Sequence, residues 1–265
     1  MRKLLSLIIV LSSLSVLVGC SAKPSTDNEI RIGVLPEPHS KLVSLVIDDL
    51  EKEGIKVTLI EFNDYVKPNY ALNDGKIDAN FFQHKQYLDD FSTKEGLDLV
   101  SIGNVHIEPM VLYAPVAKSL DDIMDGAEIA IPSDPVNTGR ALLLLETNGL
   151  IKLKDGTGLE ATKKDIIENP KNIKITLLEA AILPKILDEV DGAVINGNYA
   201  LEAGLNPVKD GLIVEGKNSP YANIVVVKAG RETEEKFIKL IKALQSDEIR
   251  NFIEQNYGGG VVPAF

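Results

Sequence analysis

Two phenylalanines, a histidine and a tyrosine are concentrated in residues 78–87 of a chain with few aromatic residues. The segment reads DANFFQHKQY, whereas phenylalanine, tyrosine and tryptophan together make up 5% of the sequence. His84 and Tyr87 are three residues apart and share a face if the segment is helical. Phe82 ends a predicted strand, at the edge where open α/β sheets bind ligands. The cluster indicates an apolar pocket wall, and an aromatic core cluster is the alternative.

A second set of polar residues lies in residues 132–140, which read PSDPVNTGR. Two prolines stiffen this predicted strand-to-helix loop, and Asn137 or Thr138 is expected to cap the helix that follows. Arg140 then lies in the first turn, where backbone N–H groups, the helix dipole and the guanidinium converge on a place that suits a carboxylate. The alternative is helix capping with a surface salt bridge for Arg140.

Two asparagines farther along the chain are also candidates for ligand contact. Asn196 comes directly after the apolar run Gly192–Ile195, and Asn223 lies in the segment SPYAN. An amide side chain offers its oxygen to an ammonium group and its NH₂ to a carboxylate. Asparagine is also an ordinary turn residue, which is the alternative for each of them.

Sequence signatures of enzymes and metal sites are missing. The chain has no Gly-x-Ser-x-Gly, no phosphate-binding glycine-rich loop and no His-Glu-x-x-His. His39, His84 and His106 stand 45 and 22 residues apart, without the short spacings of metal ligands. We therefore expect no catalytic residue, no metal and no cofactor, with His39 and His106 forming local hydrogen bonds. An extracytoplasmic hydrolase or isomerase is the alternative, but a nucleophile and its base are not evident.

Strands and helices alternate along the chain. The predicted strand Glu29–Val34, helix Ser40–Glu53 and strand Ile55–Ile60 form a parallel βαβ unit. Further strands are predicted at Ile77–Phe82, Leu99–Val105, Pro109–Tyr113, Ala127–Ile131, Ile173–Leu177, Gly192–Ile195, Leu212–Val214 and Asn223–Lys228. Further helices are predicted at His84–Phe91, Gly139–Thr147, Glu179–Val190, Glu232–Leu244 and Ser246–Gln255.

Two extended, apolar segments bear on the domain organisation. Residues 103–113 and 218–227 are both flanked by turn residues, as expected of connections between lobes. If both cross, the chain forms a two-lobed α/β structure with a cleft and a two-strand hinge. Lobe I then contains residues 29–112 and 219–265, and lobe II contains residues 113–218. The alternative is one larger doubly wound sheet.

The N-terminus has the organisation of a secretory signal. A positive head precedes the apolar run Leu4–Val18, which is shorter than the roughly 20 residues of a membrane span and ends in Leu-Val-Gly-Cys. That ending resembles the lipobox of bacterial lipoproteins, so we expect residues 1–19 to be a signal peptide and Cys20 to be lipidated. Residues 20–28 then form a flexible tether to the membrane. A core cysteine or a plain cleaved signal is the alternative.

Composition limits the classes of partner. The chain carries 28 basic and 39 acidic residues, a net charge of −11, which becomes about −13 without the signal. Such a chain does not bind nucleic acid or an anionic bilayer by charge alone. The mature length of about 245 residues suggests two domains.

Several segments, in this order, together resemble one family over nearly the whole mature chain. They are FNDYVKPNYALNDGKIDANFFQHKQYL, IPSDPVNTGRALLLLE, KDIIENPKNIKI, VDGAVINGNYALEAGLNP and SPYANIVVV. They are similar to the MetQ-type (NlpA) family of substrate-binding lipoproteins of ABC importers for D- and L-methionine. The resemblance implies a periplasmic-binding-protein fold of type II, with methionine enclosed between the lobes.

The resemblance also implies roles for individual residues. The pocket for the ligand side chain corresponds to Tyr65, Phe82, His84 and Tyr87, with Tyr113 at the lobe crossing. The groups that hold the amino-acid backbone correspond to Asn137, Arg140, Asn196 and Asn223. Aromatic rings suit a thioether, since each sulfur–aromatic contact contributes about 0.3–1.5 kcal/mol. Arg140 would hold the ligand carboxylate as a planar fork.

Two positions depart from the family pattern. Glu37 stands in Pro-Glu-Pro-His where the family commonly has Pro-Gly-Pro-His, and Val136 stands where threonine is usual. These departures leave another small amino acid or a methionine-containing dipeptide as alternative ligands. The family implies a lipid-anchored monomer that delivers its ligand to a permease with ATPase subunits, at the outer face of the cytoplasmic membrane or on a periplasmic leaflet. A non-transport surface lipoprotein is the remaining alternative.

Overall fold

The structure of the protein is a computed structural model that describes residues 28–216 and 219–265. The predictions for the signal peptide, for Cys20 and for all but the last residue of the tether lie outside the described residues. Within the described ranges, none of the helices has the length and apolar character needed to cross a membrane.

Strands and helices alternate through both described ranges. The strands are β1 (Glu29–Val34), β2 (Lys56–Glu61), β3 (Ala79–His84), β4 (Leu99–Ile107), β5 (Val111–Tyr113), β6 (Glu128–Pro132), β7 (Lys152–Leu153), β8 (Ile166–Glu168), β9 (Lys174–Leu178), β10 (Gly192–Ile195), β11 (Gly211–Val214), β12 (Ala222–Lys228) and β13 (Val262–Pro263). The α-helices are α1 (Lys41–Lys52), α2 (Lys67–Asn73), α3 (Lys85–Glu95), α4 (Pro135–Thr147), α5 (Gly197–Glu202), α6 (Pro207–Asp210), α7 (Glu235–Leu244) and α8 (Asp247–Asn256). Shorter helical turns cover Pro36–Ser40, Leu120–Asp122, Gly158–Glu160, Lys163–Asp165 and Leu183–Glu189.

Two large sheets share one arrangement of strands. The first has the order β13-β4-β12-β3-β1-β2, in which β1 is parallel to β2 and β3, and β12 is antiparallel to β3 and β4. The second has the order β11-β5-β10-β6-β9, in which β6 is parallel to β9 and β10, and β5 is antiparallel to β10 and β11. In each sheet, three neighbouring parallel strands pair with one antiparallel strand, which is β12 in the first sheet and β5 in the second.

The chain crosses between the sheets twice, at residues 108–110 and 215–221. The predicted two-lobed α/β fold with two crossings is therefore confirmed, and the alternative of one larger sheet is wrong. The lobe boundary predicted between residues 112 and 113 falls inside β5. All three residues of β5 pair in the second sheet, so the first crossing precedes Val111.

Each lobe has its own apolar core. In the first lobe, α1 buries Leu42, Val46 and Leu50, an i, i+4 row that packs against β1, β3 and the closing helices. In the second, α4 buries Leu142 and Leu145 against β6 and β10. Full burial of such a side chain contributes about 1.5–3 kcal/mol. The two separate cores let each lobe support one side of the cleft.

One predicted helix differs in type. Glu179–Val190 was expected to be α-helical, but the structure has a 3-10 helix over Leu183–Glu189. Pro184 supplies no backbone N–H at the start of this segment, which removes one donor from a helical ladder. Short elements without a clear periodic pattern, including α2, α5 and α6, were not predicted.

The close approach of α4 to the turn at Gly158–Glu160 generates a stability prediction. A Cβ at Gly139 would lie 2.2 Å from the Leu159 carbonyl oxygen, a backbone atom that cannot move aside by rotamer change. We expect Gly139→Ala to lower the free energy of unfolding by about 1–3 kcal/mol in urea titrations. Gly216→Ala is the matched control, because a Cβ at Gly216 would have no non-neighbouring atom of the described residues within 4 Å. Equal effects of the two variants would contradict the prediction.

Candidate functional site

A cavity lies between the lobes, at the point where the chain crosses. Both lobes contribute polar and aromatic side chains to its wall. The lining residues are Tyr65, Phe82, Gln83, His84, Tyr87, Glu108, Asn137, Arg140, Asn196, Gly197, Asn198 and Asn223. The structure thus brings together eight of the nine side chains named from the sequence for ligand contact.

Tyr113 is the ninth, and the structure places it elsewhere. Its ring is buried in the core of the second lobe, where it packs with Ala130, Ala193 and Tyr199. β5 runs between β10 and β11 and carries Tyr113 into the interior of that sheet. The assignment of Tyr113 to the ligand pocket is not supported by this placement.

The apolar part of the wall comes from the end of β3 and the start of α3. Phe82 and His84 lie two residues apart on β3. His84 is also the N-cap of α3, and its Nδ1 accepts a hydrogen bond from the Tyr87 backbone N–H at 3.3 Å. The Tyr65 ring lies 6.0 Å from that of Phe82 and 5.9 Å from that of Tyr87. These three rings form a continuous aromatic wall.

Arg140 is buried and bound to both crossing segments. Its Nε donates to Glu215 Oε1 at 3.0 Å, and its Nη2 donates to Glu215 Oε2 and to the Glu108 carbonyl oxygen at 2.9 Å. The guanidinium also stacks 4.2 Å above the Tyr221 ring. Nη1 forms no hydrogen bond within the described residues, so it can donate to a further acceptor.

The capping prediction for the helix that carries Arg140 is wrong. Helix α4 begins at Pro135, and its N-cap is Asp134, whose carboxylate accepts from the Asn137 N–H at 2.9 Å. Proline is well suited to the first helical position, so the helix begins earlier than its apolar run. Arg140 therefore lies in the second turn, and Glu215 rather than the helix terminus holds it.

Asn137 occupies the centre of an amide cluster. Its Oδ1 accepts from Asn196 Nδ2 at 3.0 Å and contacts His84 Nε2 at 3.4 Å, while its Nδ2 donates to the Asp134 carboxylate. Asn137 has no capacity left for strong contacts with a ligand. Its evident role is to orient Asn196.

Two polar atoms on the cavity residues are buried and form no hydrogen bond within the described part of the chain. They are Asn196 Oδ1, an acceptor, and Asn198 Nδ2, a donor. Asn196 is the N-cap of α5, yet its side chain does not cap the helix. A buried polar atom without a partner is costly, so these two atoms fit a ligand that carries both a donor and an acceptor.

Two hydrogen bonds, one between side chains and one from a side chain to the backbone, join the two walls of the cleft. Tyr65 OH donates to Asn198 Oδ1 at 2.6 Å, and Tyr199 OH donates to the Asn63 carbonyl oxygen at 3.3 Å. Both bonds connect a residue before the first crossing to a residue of α5. They hold the two walls of the cavity together.

Beneath the cavity, three strands align a row of polar residues. Asn223 on β12 pairs with His84 on β3 and with His106 on β4. His39 Nε2 lies 3.1 Å from Asn223 Oδ1 and 3.3 Å from Glu108 Oε1. His106 Nε2 lies 2.6 Å from the same Glu108 oxygen. His106 thus bonds locally, as expected, whereas the contacts of His39 are distant in sequence.

His39, His106 and Glu108 are also a set within the described residues that could hold a metal ion. Their ligand atoms lie within 4.8 Å of one another. His106 Nε2 is hydrogen-bonded to Glu108 Oε1, and His39 Nε2, which is hydrogen-bonded to Asn223 Oδ1, lies 3.3 Å from the same carboxylate oxygen. The sequence spacing did not predict this group.

Burial determines the charge of these groups. Removal from water lowers the pKa of His39 to about 4 and the pKa values of His84 and His106 to about 3, so all three are neutral at pH 7. Burial also raises the pKa values of Glu108 and Asp134. Arg140 and Glu215 remain as an ion pair beside neutral imidazoles.

Glu108, Asn198 and Gln83 are cavity residues that the sequence analysis missed. Glu108 is a single acidic residue in the apolar segment VHIEPMVLY, and Asn198 follows Asn196 by two residues. An acid inside an apolar crossing segment was the available signal for Glu108.

The two departures from the family pattern lie off the cavity wall. Glu37 forms an ion pair with Lys41 at 2.6 Å and accepts from Tyr257 OH at 3.2 Å. Val136 is buried on α4 without lining the cavity. Neither side chain therefore contacts the space in which a ligand would lie.

Two lobes that enclose a polar and aromatic cavity at a double crossing define the class of two-lobed substrate-binding proteins. The profile of the NlpA lipoprotein family matches residues 30–265. The chain belongs to the NlpA lipoprotein family, which confirms the resemblance seen in its sequence.

Individual relatives agree with this assignment. The D-methionine-binding lipoprotein MetQ of Escherichia coli K12 is 45% identical over 249 residues, which cover 93% of this chain and 92% of MetQ. A lipoprotein of Ruminococcus gnavus superimposes with a TM-score of 0.88 at 45% identity, covering 90% of this chain and all of the other. A nutrient-binding protein of Burkholderia cenocepacia, solved with bound methionine, has a TM-score of 0.85 at 47% identity and covers 89% of this chain and all of its own.

The buried histidines generate a prediction for stability against pH. An unfolded histidine has a pKa of about 6.5 and binds a proton below it, whereas folded His84 stays neutral down to about pH 3. Stability is therefore lost as the pH falls through this window. The free energy of unfolding should decrease between about pH 7.5 and about pH 5. We expect this decrease to be up to about 2 kcal/mol smaller in His84→Gln than in the wild type, because the variant lacks the titrating imidazole.

The measurement is urea unfolding of protein dialysed free of ligand. Lys85→Gln is the control, because this exposed neighbour pairs with Asp89 outside the buried cluster, and its pH curve should run parallel to that of the wild type. If the curve of His84→Gln ran parallel to that of the wild type, His84 would take up its proton in the folded protein as readily as in the unfolded one, which would contradict the prediction.

Proposed function

We propose that this protein captures methionine outside the cytoplasm and delivers it to an ABC importer, without catalysing a reaction. The observation that carries the proposal is the cavity itself. It places a donor of Arg140 and the acceptor Asn196 Oδ1 beside the aromatic wall of Tyr65, Phe82 and Tyr87. One relative is named a D-methionine-binding lipoprotein and another was solved with bound methionine, which supports methionine as the ligand. The proposal covers its L-form and also its D-form.

The cavity offers a partner for each part of methionine. Arg140 Nη1 and Asn198 Nδ2 are donors for the carboxylate, and Asn196 Oδ1 is an acceptor for the ammonium group. The thioether lies against the aromatic wall, where sulfur–aromatic contacts are favourable. His84, Asn137 and Asn223 complete the polar surface and hold these groups in place.

Closure of the lobes on the ligand is the mechanism we propose for capture. The two crossings act as the hinge between lobe I, residues 29–107 and 222–265, and lobe II, residues 111–214. Bonds such as Tyr65–Asn198 form only when the lobes meet, so a ligand that binds both walls shifts the population towards the closed form.

Attachment to the membrane completes the proposal. Cys20 carries the lipid after removal of residues 1–19, and residues 20–28 tether the monomeric binder to the outer face of the cytoplasmic membrane. Tethering raises the effective concentration of the binder beside the permease and its ATPase subunits.

Arg140→Ala tests the proposed function. Calorimetric titration of the wild type with L-methionine should show binding, and the variant should lose at least about 100-fold in affinity, because a buried carboxylate would lack its charged partner. Arg231→Ala is the control: Arg231 forms its ion pairs with Glu234 and Asp78, away from the cavity. Near-wild-type affinity of Arg140→Ala would contradict the assignment, and no binding by the wild type would overturn the function.

Tyr65→Phe tests the closed geometry. The variant keeps its ring in the aromatic wall but leaves Asn198 Oδ1 without its donor, so we expect affinity for methionine to fall about 5–10-fold. Tyr70→Phe is the matched control, because the Tyr70 hydroxyl bonds to exposed Glu95 outside the cavity. Equal affinities of the two variants in calorimetry would show that this bond does not contribute to closure.

A further inference from the structure

Glu108 is a buried acid on the cavity wall, and the contacts proposed above for methionine do not involve it. Its side chain is 6% exposed and belongs to the first crossing between the lobes. One carboxylate oxygen, Oε1, is hydrogen-bonded to His106 Nε2 at 2.6 Å and lies 3.3 Å from His39 Nε2. The Asn198 backbone N–H also donates to the carboxylate, whereas Oε2 forms no hydrogen bond with a side chain within the described residues.

We propose that Glu108 accepts the α-ammonium group of the ligand, and that His39 and His106 position its carboxylate for this contact. The inference rests on the proposed function, since it concerns the same cavity. It makes a free α-amino group a requirement for binding, so the ligand class is free α-amino acids rather than N-acylated ones or peptides with methionine at the C-terminus.

The position of Glu108 relative to Arg140 is the first support. The Glu108 carbonyl oxygen accepts from Arg140 Nη2 at 2.9 Å, so the guanidinium and the Glu108 side chain flank the same part of the cavity. The head group of an α-amino acid carries its two charges on groups separated by a single carbon. A carboxylate on Arg140 therefore brings the ammonium group towards Glu108 and Asn196.

The order of charges is the second support. Glu215 neutralises Arg140, and a zwitterion placed between Arg140 and Glu108 gives a row in which negative and positive groups alternate. Each buried charge then has an opposite neighbour, which is the condition under which buried ions are tolerated. Without an ammonium group in this place, the neighbours of the Glu108 carboxylate would be the neutral imidazoles, the Asn198 backbone N–H and Arg140, which is already paired.

The third support is the close packing of the Glu108 side chain against Gly197. A Cβ at Gly197 would lie 2.6 Å from Glu108 Cβ and 3.2 Å from Glu108 Oε2. Glycine at the start of α5 thus allows Glu108 to pack against the second lobe. His39 and His106 are neutral and use Nε2–H as donors, so they hold Oε1 without adding a competing charge.

The test compares L-methionine with 4-(methylthio)butanoate, which lacks only the amino group, by calorimetry on the wild type and on Glu108→Gln. We expect Glu108→Gln to weaken methionine binding at least about 30-fold and to change the affinity for 4-(methylthio)butanoate less than about threefold. The wild type should bind glycyl-L-methionine and N-acetyl-L-methionine at least about 30-fold more weakly than methionine.

Glu37→Gln is the matched control, because it removes a carboxylate near His39 that lies outside the cavity. Glu108→Asp provides a second variant if Glu108→Gln does not fold; it keeps the charge but shortens its reach, and it should weaken methionine binding more than 4-(methylthio)butanoate binding. Equal losses for both ligands would mean that Glu108 supports the fold only and would overturn the inference. Failure of the wild type to bind methionine would overturn the proposed function as well.

Discussion

The buried guanidinium of Arg140 is the constraint on which the site depends. A cation at this depth needs acceptors for its N–H groups, and the structure supplies them from both crossings, through the Glu108 carbonyl oxygen and the Glu215 carboxylate. Tyr221, in the second crossing, covers the face of the guanidinium. Arg140 itself comes from α4 of the second lobe. One side chain thus links that lobe to both connections of the hinge, so the electrostatics of the site and the arrangement of the lobes depend on the same contacts.

Neutral polar groups surround this ion pair because burial disfavours additional charge. His84 caps α3 and contacts Asn137, while His39 and His106 converge on Glu108. With their pKa values lowered by burial, the imidazoles act as hydrogen-bond donors of fixed orientation rather than as cations. Amide and imidazole groups can therefore define a polar cavity without the repulsion that several like charges would cause. The aromatic wall then sets the apolar end of the space.

How much could be predicted depended on whether a signal was local. Phe82, His84 and Tyr87 stood out because they lie within a few residues of one another in an aromatic-poor chain. Arg140 does line the cavity, but the physical reason given for its position was wrong, since Pro135 starts α4 early and Glu215, 75 residues away, holds the guanidinium. Tyr113 was misplaced because pattern alone did not show that β5 carries it into the interior of the second sheet. Asn198 was missed because its partner Tyr65 is distant in the chain. Glu108 bonds to nearby His106, but its contacts with Arg140 and His39 are distant in the chain.

Sequence by itself determined the alternation of strands and helices, the two apolar crossings, the family and most of the side chains that line the cavity. These features follow from hydrophobic period, turn residues and short motifs, all of which are local properties of the chain. Tertiary structure alone decided which polar groups meet. The register of β3, β12 and β4 aligns His84, Asn223 and His106, and the packing of the turn before α1 brings His39 onto Glu108. Burial then sets their charges, because the free energy of an ionised group depends on its distance from water, which no linear pattern specifies.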